Sequence, residues 1–144
     1  RLSDLFPPEK LAAATTVKVN MLESAELKNS GHRHLTIKKL PSPAQTSMVN
    51  GIVPGDIGPN GEKYLILAGN FYPFRVQFGP LDAGIGTILK TDGKGGFSSL
   101  GYTETGLDIS GDVRNLVRVN DAKGGYWLIA AKSNDAVQVW RRDH

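Results

Sequence analysis

"GIVPGDIGPNGEKYLILAGN", residues 51–70, decides the fold, because a shift of 64 lays it on "NLVRVNDAKGGYWLIAAKSN", residues 115–134. The overlay pairs Ile52 with Leu116, Val53 with Val117, Asp56 with Asn120, Gly61 with Gly125, Leu65 with Ile129 and Asn70 with Asn134. Two apolar runs and the polar turn between them coincide, which is the pattern of a recurring β-hairpin. A shift of 62 then lays "LKNSGHRHLTI" (27–37) on "LKTDGKGGFSS" (89–99), with Leu27 on Leu89, Lys28 on Lys90, Gly31 on Gly93 and Leu35 on Phe97. The two shifts agree closely, so the chain carries a unit of about sixty residues made of two hairpins, a four-stranded antiparallel sheet. In that frame it holds the last two strands of one unit, one whole unit and the first three strands of another.

Four-stranded sheets repeated at a fixed period are the pattern of β-propeller blades, each covering an apolar face that its neighbour cannot bury alone. The expectation is an all-β fragment with about two blades of an incomplete propeller. A short helical lead-in occupies 1–15, the end of one blade 16–40, a complete blade 48–100 and three strands of the next 111–142. The competing reading is an ordinary sandwich in which the echo is chance. The lead-in rests on "SDLFPPEKLAAA", where Ser3 or Asp4 can cap and the prolines stand near the first turn. After it, Val17, Val19 and Met21 alternate with Lys18 and Asn20, the period of a half-buried strand. Two blades cannot close a ring that needs about four to eight. The rest of the propeller or a second copy of the chain is therefore expected to cover the open faces.

Composition narrows the class. The 144 residues are 40% hydrophobic and 22% charged, enough apolar content for a packed core. The net charge is +3, but the 17 Lys and Arg are scattered, with Lys38-Lys39 and Arg141-Arg142 the densest pairs, so no nucleic-acid stripe is indicated. Cysteine is absent, which excludes disulfides and thiolate metal sites. No run of eighteen apolar residues is present, so no membrane span is expected. The chain opens on Arg1 without an apolar leader and reads as a mature or excised piece.

Motifs with chemical potential are thin. "HRH" (32–34) offers two imidazoles but falls in the register of a turn, without a third ligand beside it. "TDGKGG" (91–96) lacks the spacing and following helix of a phosphate cradle, and Asp92-Gly93 reads as a hairpin turn. Asp82, Asp108, Asp112 and Glu104 are carboxylates near strand ends, the raw material of an acid–base pair, yet nothing in the sequence fixes their separation. There is no GxSxG elbow. The balance leans away from an enzyme.

The best candidate is the segment after "LILAGN". The unbroken Leu65–Ala68 run reads as the second strand of a blade, buried on both faces by neighbouring blades, and the chain then leaves it for a long loop, "FYPFRVQFGPLDAG". Tyr72, Phe74, Arg75, Phe78 and Asp82 form the expected ligand-binding set. Flat rings give contact area at little entropic cost, and arginine donates in a planar fork. The competing reading folds these rings back over the edge of the sheet.

The layout of "NGxxxLILAGNFY", "LDAGIGTIL", "DGKGGF" and "GDVRNL" resembles the C-terminal part of bacterial secreted proteins with FG-GAP or VCBS-type repeats, relatives of the integrin-α propeller and of the ASPIC/UnbV family. The resemblance spans about residues 20 to 142 and implies a secreted, periplasmic or cell-surface bacterial protein. It implies a non-enzymatic role in recognising or scaffolding a protein or glycan. The alternative is a fragment or accessory part of a secreted carbohydrate-active enzyme. In that family a DxDxDGxxD loop often holds calcium, its carboxylates converging where glycine permits the bend. Here "DIGPNGEKY" keeps only Asp56 and Asn60 as side-chain ligands, with Gly58 and Tyr64 replacing two others. The loop reads as an ordinary turn and no cofactor is expected, the alternative being calcium held at Asp56 and Asn60.

Overall fold

A proline opens the first helix: α1 (Pro8–Ala12) has Pro8 in its first turn, where no amide donor is missed. The computed structural model describes residues 1–57 and 62–142, without the side chains of 56 and 57. Residues 13–24 lie outside any strand and Val17 and Val19 are exposed, so the strand expected at 17–21 does not form. A period of two specifies a strand only where a partner supplies the ladder, and among the described residues no strand pairs with this segment.

The strands that follow are β1 (Ala25–Asn29), β2 (Leu35–Lys39), β3 (Val49–Ile57), β4 (Lys63–Gly69), β5 (Thr87–Thr91) and β6 (Phe97–Leu100). A four-residue helix, α2 (Tyr102–Thr105), leads to β7 (Val113–Asn120), β8 (Tyr126–Lys132) and β9 (Gln138–Arg142). The strands form three antiparallel sheets: β1-β2, β3-β4-β5-β6 and β7-β8-β9. Among the described residues the fold is mostly β, without a closed barrel.

Hydrogen-bond registers show how deep the internal echo runs. Leu27 pairs with Ile37 and Leu89 with Ser99, so the shift of 62 carries one ladder onto the other. Both β3 and β7 break register after their first valine, between Val49 and Gly51 and between Val113 and Asn115, so the shift of 64 maps irregularity onto irregularity. The second strands correct the overlay. Ile52 pairs with Leu67 and Leu116 with Ala130, which places Leu65 on Leu128 and not on Ile129. A one-residue slip moves a side chain to the other face of its sheet. The corrected register puts Leu65 and Leu67 on the same face as Leu128 and Ala130.

The main core lies between the second and third sheets and contains Val53, Ile66, Ala68, Ile109, Val113, Leu116, Tyr126, Leu128 and Ala130. Gly51 allows the close approach, because a Cβ there would stand 2.5 Å from Leu116 Cβ and 2.8 Å from its amide nitrogen. Arg118 of β7 reaches back to the Pro54 carbonyl at 3.3 Å. The opposite face of the second sheet packs Leu67 and Leu89 against Ala44 in the 3₁₀ turn Ser42–Gln45. β4 is thus buried on both faces, but only one of them by a neighbouring sheet: the other is covered by this turn and not by a second blade, because the β1-β2 hairpin stays away from it. The hairpin β1-β2 stays largely exposed, with Leu27, Leu35 and Ile37 in solvent. Among the described residues no helix is long and apolar enough to cross a membrane.

Candidate functional site

β4 ends at Gly69, and the next residue sets the geometry of the loop. Asn70 is fully buried and takes φ of 91°, a left-handed conformation that asparagine tolerates better than most residues. Its amide nitrogen donates to the carbonyls of Gly84 at 2.8 Å and Gly111 at 2.9 Å, and its Oδ1 accepts from the Gly84 amide at 2.9 Å. One side chain thereby joins the start of the loop, its end and the approach to β7. Asn50, at the β3 irregularity, donates to the carbonyls of Asn70 and Val113, both at 2.9 Å. Above this base Phe71 and Leu81 exchange two backbone hydrogen bonds of 2.9 Å, so residues 72–80 form a tip with closed ends.

Within the loop Phe71 and Phe74 meet edge to face at 6.5 Å, and Phe74 and Phe78 lie 5.8 Å apart. The rings partly pack on one another, as the competing reading expected, yet Tyr72 remains 44% exposed and Phe78 70%. Arg75 and Asp82 are also exposed. All five residues of the expected set therefore reach solvent from one loop. Arg114 ties this loop to β7: its guanidinium lies 5.2 Å from the centre of the Phe71 ring and bonds Asp112 Oδ2 at 2.8 Å.

Behind the loop, where it faces the corner after β8, lies a cavity of about 550 Å³ lined by Tyr72, Pro73, Asp112, Ser133, Asn134 and Asp135. A second cleft of about 400 Å³ opens between the second and third sheets, with Ile66, Leu107, Leu128 and Trp140 in its walls. Both are within the range of small-ligand sites.

The other candidates fall elsewhere. Asn60 and the side chain of Asp56 lie outside the described residues. Among the described residues no group of three or more His, Asp or Glu converges as a metal site. His32 and His34 stand on the exposed β1-β2 turn, with Gly31, His32 and Arg33 at positive φ. Asp92 closes the β5-β6 turn through the amides of Gly96 at 2.7 Å and Lys94 at 2.8 Å, and these bonds hold its carboxyl below the usual range. Glu104 accepts from the Gly101 amide and serves as a helix cap. Asn50, Asn70 and Arg114 were not singled out by sequence reasoning. The overlay did match Asn70 to Asn134, but the corrected register places Asn70 on Ser133, so that match was no guide to its role.

Comparison with protein families, curated proteins and solved structures found no match to the chain.

Proposed function

We propose that this chain is part of a β-propeller-type recognition module of the FG-GAP/VCBS kind, exported or surface-attached in a bacterium, that binds its ligand through the loop after β4. The observation that carries the reading is the simultaneous exposure of Tyr72, Phe74, Arg75 and Phe78 on the tip, and of Asp82 just past its closing pair, in a loop whose base is locked by the buried Asn70. Exposed aromatic and arginine side chains on an anchored loop lose little conformational freedom on binding, which is how such surfaces gain affinity.

Sheet orientation supports the repeat architecture. β8 turns Leu128 and Ala130 toward the second sheet, and the equivalent Leu65 and Leu67 of β4 turn away from the third. Successive sheets thus present the same face backward. The forward face of the third sheet is left with Val117 and Val119 in solvent, at positions equivalent to the core residue Val53 and to the strand end beyond it. Apolar residues at these positions fit a surface that a following sheet or a second copy of the chain covers.

The test is binding of the labelled chain to bacterial cell-envelope protein and polysaccharide fractions, with reducing-end release measured on the same polysaccharides. Binding without turnover, weakened at least tenfold by Phe74→Ala with Arg75→Ala, is the expected result. Unchanged binding by the double variant overturns the loop assignment, and sugar release favours the carbohydrate-active alternative.

A further inference from the structure

Two exposed apolar faces of this chain match the two sides of its own buried interface. In the second sheet the register row Val53, Ile66, Ile88 turns toward the third sheet, with Val53 and Ile66 buried and Ile88 packed against the same core. The corresponding row of the third sheet is Val117, Ile129, Val139, apolar throughout and facing away from the second sheet. Val117 is 43% exposed and Val139 52%. The β1-β2 hairpin sets Leu27, Leu35 and Ile37 on one face, each more than half exposed. Leu27 and Leu35 are the equivalents of Leu89 and Phe97, which turn backward, away from the third sheet. The pairs Leu65 with Leu89 and Leu128 with Trp140 make Trp140 a further equivalent of Leu27, and Trp140 packs against the core between the sheets. The hairpin thus shows in the open the kind of face that covers a forward row inside the molecule.

The hairpin is anchored although this face is bare. Gln45 accepts from the Ser24 amide at 2.7 Å and donates to the carbonyls of Ser24 and Leu40, both at 2.9 Å. Lys38 donates to the Gly95 carbonyl at 3.0 Å. A two-stranded hairpin gains little stability until its apolar face is packed.

We propose that copies of this chain associate head to tail, the face carrying Val117, Ile129 and Val139 in one copy receiving Leu27, Leu35 and Ile37 of the β1-β2 hairpin in the next. A second copy is the occupant because it brings a backward face of the matching kind and continues between molecules the stacking of the second sheet on the third. Each contact takes one bare apolar face of each copy out of water. The contact is heterologous, so its two patches differ and can be disabled separately. A three-stranded face is only about 14 Å wide, which places the contact among small, transient interfaces.

This inference rests on the sheet stacking of the proposed function and not on its ligand loop. The test is sedimentation equilibrium of wild type, Val139→Glu, Leu27→Glu and an equimolar mixture of the two variants, at roughly 1 to 500 µM to bracket a weak contact. Wild type is expected to gain mass with concentration, and each variant alone to need at least tenfold more protein to do so. The mixture is expected to recover association and to stop at two chains, because the intact hairpin of Val139→Glu meets the intact sheet of Leu27→Glu. Both positions are exposed, circular dichroism checks the fold, and Val117→Glu or Ile37→Glu replaces a variant that unfolds. Wild type monomeric throughout, self-association indifferent to Leu27→Glu, or a mixture that recovers nothing would each overturn the head-to-tail contact; the second result would mark the third sheet as pairing with its own like. Internal stacking is read separately by Gly51→Ala and the loop by Phe74→Ala with Arg75→Ala, so failure of this contact is distinguishable from failure of either.

Discussion

Replacing Asn70 by alanine removes the one side chain that closes the candidate loop, and its cost can be worked out. Three hydrogen bonds of 2.8 to 2.9 Å are lost. At roughly 1 kcal/mol net each they amount to about 3 kcal/mol. Alanine at φ of 91° adds about 1 kcal/mol of backbone strain. The expected loss is therefore about 3–5 kcal/mol, a large part of the roughly 5–15 kcal/mol that holds a domain folded. For a chain of this size the melting temperature should fall by on the order of 10 °C. Glycine at the same position loses the bonds and escapes the strain, so Asn70→Gly should be less damaging than Asn70→Ala by about 1 kcal/mol. Asn70→Asp presents a carboxylate oxygen to the carbonyls of Gly84 and Gly111, which no longer receive a donor, and should be at least as harmful as alanine at neutral pH. Urea and thermal unfolding measure all three, with limited proteolysis reporting faster cleavage within 72–80. A loss below about 1 kcal/mol for Asn70→Ala would refute the claim that this residue locks the loop.

Gly51→Ala forces a methyl group against the Leu116 backbone, and overpacking of this kind should cost about 1–3 kcal/mol in urea unfolding; a neutral result would mean that the second and third sheets are not seated as closely as described. The carboxyl of Asp92 is held low first by the Gly96 amide and then by that of Lys94, so its stabilising contribution is full above the ordinary aspartate range and is lost as pH falls through its lowered folded value. Acid titration followed by circular dichroism should accordingly show wild type losing its advantage over Asp92→Asn below about pH 4, and parallel acid limbs would contradict the turn assignment.

Much of the fold was legible because it is periodic. The echo between 51–70 and 115–134 is carried by two apolar runs and the polar turn between them, and the hydrogen-bond ladders pair those runs in both hairpins. The overlay slipped by one residue in the second strand because turn length is set by backbone geometry, and "Leu-Ile-Leu" against "Leu-Ile-Ala" reads almost as well in either register. Val17 and Val19 misled for a related reason: a strand needs a neighbour, and one sequence does not show where neighbours are. The five loop residues could be named from composition alone. Asn50, Asn70 and Arg114 could not, since each acts through a partner far along the chain: Asn70 with Gly111, Asn50 with Val113 and Arg114 with Phe71.

The position of the loop also follows from comparing equivalent corners. In the third sheet the chain passes from β8 to β9 through residues 133–137, whereas in the second it passes from β4 to β5 through residues 70–86. Both connections begin with an amide that donates back across its hairpin, Asn70 to the Met48 carbonyl and Ser133 to that of Asp112, so the corner is shared and the longer connection is the excursion. Insertions in repeat architectures collect on the face that meets ligands, because the stacked sheets tolerate length only where no neighbour packs. The short corner is not idle, since Ser133, Asn134 and Asp135 line the cavity together with Tyr72, Pro73 and Asp112, so residues of both connections meet there.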